Sequence, residues 1–265
     1  KMCIDPNWYP FEAIENGSHI GIAADVMKIF EEKLGVPFRF IYVKSWQDSI
    51  YYAKQRTCDI FTMASSTPSR LKYMDFTSPY ITLPTVVVTK NDKPFIDKLD
   101  DIKNYKIAAV KGYSIIEKLQ SKHPFIQIVE VDSITQGLEM VFKGEVYGYI
   151  DNLMVVSSYI QKDYTGVLKV SLKLDEDLNF SVGTRNDEPI LNEIFEQLVQ
   201  SLDQQTMQKI FNQWVSVVHE VSKYNQEKLL KIALGVFIVA LMVITLFLYR
   251  QNLLQTYNKQ LLKLS

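Results

Sequence analysis

The sequence contains little cysteine and little histidine, and these two shortages limit its chemistry. Its two cysteines, Cys3 and Cys58, are too few for a small scaffold held together by disulfides, and they are not spaced like metal ligands. They can pair outside the cytoplasm, but we expect two buried free thiols. The three histidines are scattered, and no nucleophile–base pair is recognisable. We therefore predict no metal, no cofactor and no catalysis within this chain.

Neither sign of charge is in excess. The chain has 29 lysines and arginines against 30 aspartates and glutamates, for a formal net charge of -1. The basic residues are spread along the sequence, so no extended basic face is expected and we predict no nucleic-acid binding. A composition of 47% hydrophobic and 22% charged residues is ordinary for a globular protein.

One long run without charged residues occupies positions 232–249. A helix of about 20 residues, at about 1.5 Å per residue, crosses a hydrocarbon core of roughly 30 Å. The run therefore predicts one transmembrane helix. A buried core helix is the alternative, but too little chain follows to cover it on all sides. Lysines and arginines flank the run equally, so its orientation is inferred from the preceding domain.

The segments around this run complete the predicted membrane topology. We expect a juxtamembrane linker at 219–231 and the start of a cytoplasmic signalling helix at 250–265. Apolar residues in the second segment recur with the spacing of a coiled-coil seam, which favours a homodimer. These residues are Leu254, Tyr257, Leu261 and Leu264. We expect any secretion signal to lie upstream of Lys1 and the natural protein to continue past Ser265.

Residues 1 to about 215 alternate short apolar runs with amphipathic helical stretches. This pattern predicts α/β layers around a mainly parallel sheet. Strands are predicted at 1–4, 38–43, 59–63, 76–80, 85–89, 106–110, 126–131, 147–150 and 179–183. Helices are predicted at 23–34, 47–54, 114–121, 134–142, 152–160 and 189–202, with a last helix capped by Asp203.

A polar break at 91–94 indicates a crossing into a second lobe. We predict lobe 1 at 1–88 and 183–218 and lobe 2 at 89–182, joined by two hinge crossings. The cleft between two such lobes is the expected ligand site, and it closes by rotation of the lobes.

Four motifs in this part of the chain carry a family resemblance. They are YPF at 9–11, ASSTPSR at 64–70 with DFTSPY at 75–80, VKG at 110–112 and GYID at 148–151. In this order they resemble the family 3 bacterial extracellular solute-binding proteins, the polar amino-acid type of Venus-flytrap domain. The resemblance implies a two-lobed, periplasmic-binding-protein-like fold of type 2 that binds a small amino acid or carboxylate.

Several polar residues in the motifs suit a ligand carboxylate. Arg70 offers a planar fork of donors, and the hydroxyl of Ser65 or Thr67 can add a hydrogen bond. An arginine in a polar loop can equally be a solvated surface residue. Ser114 follows Gly112 at the start of a helix, where free amides and the helix dipole favour an anion. The resemblance implies that Ser114 reaches the same carboxylate from the second lobe.

The remaining candidates suit the rest of an amino-acid-like ligand. Asp151 ends a strand, where ligand groups gather in open α/β sheets; the resemblance implies that it binds the ligand's ammonium group, and a helix cap is the other role. Trp8, Tyr9 and Phe11 can cover a ligand tail or form core. Met63 departs from the Gly or Ser that the family often has there, so a larger or more apolar ligand stays open.

These inferences favour the extracytoplasmic ligand-sensing part of a single-span receptor, with its binding domain in the periplasm and its helix in the inner membrane. Similar domains precede membrane helices in sensor histidine kinases and cyclic-di-GMP enzymes, so an output domain of that kind can follow Ser265. The alternative is the solute-binding component of an ABC amino-acid importer, which usually ends near Trp214. Some cell-wall lytic transglycosylases carry this domain too, but no catalytic domain fits after Leu254.

Overall fold

The computed structural model describes residues 1–215 and positions 231, 234, 235, 237, 241, 242, 245, 250 and 251. Lys1–Trp214 form one compact unit. The predicted linker, membrane span and signalling helix, at 219–231, 232–249 and 250–265, fall largely outside the described residues. Among the positions that are described, no helix combines the length and the apolar character needed to cross a bilayer.

Within residues 1–215, helices and strands alternate much as predicted. The helices are α1 (Ile22–Leu34), α2 (Trp46–Lys54), α3 (Ser114–Lys122), α4 (Ile134–Lys143), α5 (Leu153–Asp163), α6 (Pro189–Gln200) and α7 (Gln204–Val215). The strands are β1 (Met2–Cys3), β2 (Asn7–Trp8), β3 (Glu12–Glu15), β4 (Ser18–Ile20), β5 (Ile60–Ala64), β6 (Met74–Phe76), β7 (Ile81–Lys90), β8 (Lys106–Val110), β9 (Gln127–Val131), β10 (Gly148–Asn152) and β11 (Leu168–Arg185).

The helices begin and end where side chains and glycine provide caps. Ile22, Val26 and Phe30 of α1 are fully buried on one face, and Gly35 ends the helix with a φ of 66°, a left-handed conformation that glycine adopts without strain. Asp203 accepts the Thr206 amide at 2.8 Å, the predicted cap of α7. Local signals of this kind explain why helix limits follow closely from the sequence.

The main sheet has the order β1-β5-β11-β7-β10-β8-β9, with β6 paired to β11. Parallel pairing joins β1 to β5 and joins β8 to both β9 and β10. The pairings of β7 with β10 and β11, and of β11 with β5 and β6, are antiparallel. The sheet is therefore mixed, and the prediction of a mainly parallel sheet is wrong, because two long antiparallel strands lie between the parallel groups.

Two long strands, β7 and β11, lie between the two groups of parallel strands in the main sheet. β11 pairs with β5 and β6 through residues 181–185 and with β7 through residues 168–180. On its other side, β7 pairs with β10 through residues 85–89. Strands β1, β5 and β6 belong to the first lobe and β8, β9 and β10 to the second, so residues 85–89 already lie in the sheet of the second lobe. The lobe limits themselves stay a prediction.

Two features near the N-terminus differ from the expected pattern. Strands β2, β3 and β4 form a separate three-stranded antiparallel sheet that the sequence analysis did not predict. In place of the predicted strand at 38–43, an isolated bridge joins Phe40 to Met2. Both the small sheet and the bridge depend on which backbone segment pairs with which, and the pattern of side chains along the sequence does not indicate that pairing.

A disulfide joins Cys3 to Cys58, whose Cα atoms are 5.7 Å apart. In the sheet, Cys3 pairs with Phe61 of β5, and Cys58 lies just before that strand. Parallel pairing of β1 with β5 thus brings the two cysteines together. The expectation of two free thiols is wrong, because it rested on cysteine count and could not anticipate this pairing.

Candidate functional site

A small buried cavity lies between the lobes, at the carboxyl ends of β1, β5, β8 and β10. The first lobe contributes Asp5, Trp8, Trp46, Met63, Ala64, Ser65 and Arg70. The second lobe contributes Tyr113, Ser114, Ile115 and Asp151, and β11 contributes Leu178 and Phe180. The cavity volume is about 30 Å³, enough for about one water molecule. In this conformation the cavity is too small for an amino acid.

Arg70 lies at the side of the cavity where the two lobes meet. It begins a short 3₁₀ turn, Arg70–Lys72, and only 5% of its surface is exposed. Its guanidinium donates to the carbonyl of Ser65 at 2.7 Å and, across the lobes, to that of Gly112 at 3.0 Å. The group also lies over the ring of Trp46, 5.2 Å from its centroid. The alternative of a solvated surface arginine is therefore wrong.

The charge of Arg70 is retained despite burial. Burial lowers the pKa of Arg70 to about 10, which still leaves the guanidinium protonated at neutral pH. Its two bonds to carbonyls use part of a donor fork that can also bind a carboxylate. Arg70 is thus a buried cation beside the cavity, with its geometry fixed by both lobes.

The three predicted hydroxyl residues lie in different positions. Ser65 lines the cavity, and its buried Oγ has no hydrogen-bond partner among the described residues. Ser114 is the first residue of α3 and also lines the cavity. Thr67 is buried but lies outside the cavity, and its Oγ1 is 3.0 Å from the Oγ of Ser69. Ser65 therefore offers a hydroxyl to a ligand, whereas Thr67 has a partner within its own loop.

Asp151 approaches the cavity from the second lobe, in β10. Its Oδ2 accepts the hydroxyl of Tyr149 at 2.7 Å, and its Oδ1 accepts the amide of Asn152 at 2.7 Å. Burial raises the pKa of Asp151 to about 6, although these hydrogen bonds favour the ionised form. The cap of α5 is Asn152, which accepts the amide of Val155. The capping role considered for Asp151 thus belongs to its neighbour.

A second buried carboxyl group, which the sequence analysis did not identify, belongs to Asp5. It follows β1, accepts the Asn7 amide at 3.0 Å and accepts the Tyr113 hydroxyl at 2.8 Å. Burial, together with the charges of Glu12 and Asp151, raises the pKa of Asp5 to about 7, although the two hydrogen bonds favour the ionised form. An acidic residue just past the carboxyl end of the first strand, comparable to Asp151 near the carboxyl end of β10, was the signal available in the sequence.

The aromatic residues divide between cavity and surroundings. Trp8 lines the cavity, and its buried Nε1 has no hydrogen-bond partner among the described residues. Phe11 is fully buried behind Trp8, with ring centroids 4.9 Å apart. Tyr9 is 43% exposed and meets the ring of Trp214 instead. The structure therefore brings Trp8 to the site and leaves Tyr9 and Phe11 outside it, while Phe180, which was not predicted, faces Trp8 at 5.0 Å.

Direct hydrogen bonds join the lobes around the cavity. The indole nitrogen of Trp46 donates to the carbonyl of Gly112 at 3.2 Å. Ser69 donates its amide and its hydroxyl to the carboxylate of Glu117, at 3.0 and 2.6 Å. Within the described part of the chain, no group of three His, Cys, Asp or Glu side chains could hold a metal ion. The arrangement places one buried cation and two buried carboxyl groups around a small cavity whose other walls are largely apolar.

The relatives that resemble this chain in sequence include both sensor proteins and transporter-binding proteins. The virulence sensor protein BvgS of Bordetella pertussis is 22% identical over 195 residues, which are 73% of this chain and 16% of that protein. The chain thus corresponds to a small part of that relative's length. A probable amino-acid ABC transporter-binding protein of Haemophilus influenzae is 28% identical over 204 residues, 76% of this chain and 77% of that protein.

Solved structures show the same two-lobed fold. The periplasmic VFT2 domain of Bordetella pertussis BvgS has a TM-score of 0.73 at 20% identity, covering 80% of this chain and 92% of that one. A histidine kinase sensor domain with similarity to periplasmic binding proteins has a TM-score of 0.74 at 18% identity, covering 81% and 94%. An ancestral arginine-binding protein bound to arginine has a TM-score of 0.71 at 20% identity, covering 80% and 96%.

The family follows from the sequence itself, over the whole of the compact unit and three residues beyond it. Residues 1–217 match the profile of one family of solute-binding, non-catalytic proteins. The chain belongs to the bacterial extracellular solute-binding proteins, family 3.

Proposed function

We propose that this chain is the extracytoplasmic ligand-sensing part of a single-span membrane receptor. It binds a small amino-acid-like solute between its lobes, in the periplasm, and signals through an inner-membrane helix at 232–249. The observation that carries the proposal is one buried cavity lined by Arg70 from the first lobe and by Asp151 from the second. A cation and an acid on opposite sides match the carboxylate and ammonium groups of an amino acid.

The residues that line the cavity suggest which of them binds each part of the ligand. The ligand carboxylate binds Arg70 and accepts the unpaired hydroxyl of Ser65, with Ser114 completing its partners from the second lobe. The ligand ammonium binds Asp151, whose ionised form the added positive charge favours. Trp8 covers the remainder of the ligand. Buried polar groups without partners, such as the Ser65 hydroxyl, are the ones a ligand would satisfy.

Binding requires motion, because the cavity of about 30 Å³ is too small for the ligand. We infer that the lobes rotate apart about β7 and β11, the two strands that join them, and close again over the bound solute. The ligand then stabilises the closed form, and the change in lobe position passes through α7 toward the membrane helix. A homodimer formed by residues 250–265 carries it further.

The second candidate is the solute-binding component of an ABC amino-acid importer. It is favoured by the relative from Haemophilus influenzae, named as a probable amino-acid ABC transporter-binding protein, of which the match covers 77%. The receptor is preferred because the uncharged run at 232–249 has the length of a membrane span, which a freely diffusing binding protein does not require.

Replacing Arg70 tests ligand binding. The full chain is screened by thermal shift against amino acids and small carboxylates, since a ligand held by the folded state raises the melting temperature. For each ligand found, Arg70→Ala should weaken the affinity about 100-fold, because two charge-assisted hydrogen bonds are lost. Arg39→Ala, the same change at an exposed position of the first lobe, is the matched control. Equal affinity of the Arg70→Ala variant and the wild type would remove Arg70 from the site.

A further inference from the structure

One side chain of the second lobe reaches through the cavity to the first. Tyr113 lies between Gly112 and the start of α3, and its hydroxyl donates to Oδ2 of Asp5 at 2.8 Å. Its ring meets the ring of Trp8 edge-on, with centroids 6.3 Å apart. Tyr113 therefore fills space beside the cavity and uses a hydrogen-bonding position on an acid that a ligand could otherwise reach.

The two acids of the cavity differ in where their hydrogen bonds come from. Asp151 receives the Tyr149 hydroxyl and the Asn152 amide, both from its own lobe, and the indole of Trp8 in the first lobe also favours its ionised form without meeting hydrogen-bond geometry. Asp5 receives one bond from its own loop, from Asn7, and the other from Tyr113 in the opposite lobe. When the lobes part, Asp151 keeps both donors, whereas Asp5 loses the Tyr113 hydroxyl and regains it when they close.

The Tyr113 hydroxyl competes with a cation for Asp5. It is a neutral donor, so it satisfies the acid without bringing a charge into the cavity. A ligand cation would have to displace both the hydroxyl and the ring to reach the same oxygen. With a small side chain at position 113, Asp5 would keep the Asn7 amide but its Oδ2 would lose its donor in the closed form, and a buried carboxyl oxygen without a donor favours a positively charged partner.

We propose that Tyr113 determines the ligand specificity of this cavity by occupying Asp5. The clamp then accepts amino acids with one ammonium group, bound at Asp151, and rejects diamino acids such as lysine. This inference rests on the proposed function, because it takes Arg70 and Asp151 as the groups that bind the ligand backbone.

Titration calorimetry of the full chain with L-alanine and L-lysine tests the proposal. Tyr113→Ala should bind lysine at least about tenfold more tightly than the wild type does, because the freed carboxyl group gains a charged partner. Tyr113→Phe, which keeps the ring and loses the hydroxyl, should gain less. Adding Asp5→Asn to Tyr113→Ala should remove the gain. Tyr105→Ala, the same change at a 47% exposed position of the second lobe, is the matched control.

The outcomes separate this inference from the proposed function. If the wild type binds alanine but Tyr113→Ala leaves the ratio of lysine to alanine affinity unchanged, the inference is overturned and the proposed function stands. A gain that persists in the presence of Asp5→Asn also overturns it, since added volume would then be the cause. If neither the wild type nor any variant binds either probe, the inference is overturned, whereas the proposed function fails only if the screen of amino acids and small carboxylates also finds no ligand. Should Tyr113→Ala not fold, equal lysine affinity of Tyr113→Phe and the wild type overturns the inference.

Discussion

Burial opposes the charged form of the ionisable groups that line the cavity. Arg70 stays protonated because its ordinary pKa is high, whereas Asp5 and Asp151 have pKa values raised to about 7 and about 6. Both acids therefore change charge in the range from weakly acid to neutral pH. The charge of the cavity therefore depends on pH through Asp5 and Asp151, and we expect the stability of the closed form to depend on pH with it.

Asp5 should make the folded chain less stable as the pH rises. Its pKa is raised on folding from 3.8 to about 7, so the folded chain holds this proton more tightly than the unfolded chain. Below about pH 4, Asp5 is protonated in both the folded and the unfolded chain and does not change the free energy of unfolding with pH. Between about pH 4 and 7 the free energy of unfolding falls, by at most about 4 kcal/mol. Asp5→Asn, which stays neutral, should lose less stability over this interval.

Denaturant unfolding of the wild type and of Asp5→Asn at pH 5 and pH 8 measures this difference. Asp151→Asn provides a comparison, since its smaller rise in pKa predicts a weaker effect in the same direction. Parallel pH dependence of the wild type and Asp5→Asn would show that Asp5 is already ionised at pH 5, contrary to the expectation.

Some residues of the site could be predicted from the sequence because they lie in recognisable motifs, and others could not. Arg70 and Asp151 lie in motifs that resemble a known family, and the structure brings both to one cavity; their roles in binding stay predictions. Trp46 and Tyr113 reach the cavity from helix starts, where no residue pattern indicates which way a ring points. Side-chain direction depends on packing between lobes, and local sequence does not encode it.

At the scale of elements, the first strand is held to the sheet in two ways. β1 is two residues long and pairs with β5, and the disulfide joins the same two segments. Asp5 lies two residues after Cys3, so the link also holds the segment that presents an acid to the cavity. A strand this short contributes few backbone hydrogen bonds, and a covalent link compensates for that.

Loss of the disulfide should destabilise the chain. The cysteines are 55 residues apart, and closing a loop of that length restricts the unfolded chain by about 4 kcal/mol at room temperature. A reductant should therefore lower the melting temperature of the wild type. The double variant Cys3→Ser, Cys58→Ser should melt at the lower temperature with or without reductant. If reductant added under denaturing conditions leaves the melting temperature of the wild type unchanged, this expectation is contradicted.

Helices and strands differ in how much of them the sequence indicates. Helices α3 and α4 begin where predicted, at Ser114 and Ile134, because apolar spacing and capping are local signals. The predicted strand at 179–183 is the end of a much longer strand, β11, which begins at Leu168. Its earlier part is rich in charged residues, and pairing with β7 keeps it extended. Strand length is thus decided by a partner distant in sequence.

At the scale of the whole molecule, the proposed receptor differs from an importer's binding protein in its attachment to the membrane. After alkaline carbonate washing, the full chain should remain with the membranes, whereas a chain ended at Trp214 should be released. Ala240→Arg with Ile244→Arg should shift the full chain toward the soluble fraction, because each arginine near the centre of a span costs about 3 kcal/mol. Release of the unaltered full chain would favour the importer role.

The family, the α/β composition and the positions of most helices could be predicted from the order of residues alone. That order also indicated several residues that the structure brings to one cavity, among them Arg70 and Asp151, whose roles in binding a solute stay predictions. These properties depend on local spacing and on motifs, which a chain carries whether or not it is folded.

The mixed order of the sheet, the disulfide and the contact between Tyr113 and Asp5 became known only from the folded chain. Each of these depends on segments far apart in sequence that meet only when the lobes are assembled. The free energy that selects such contacts comes from burial and pairing across the whole unit, and no single segment contains it.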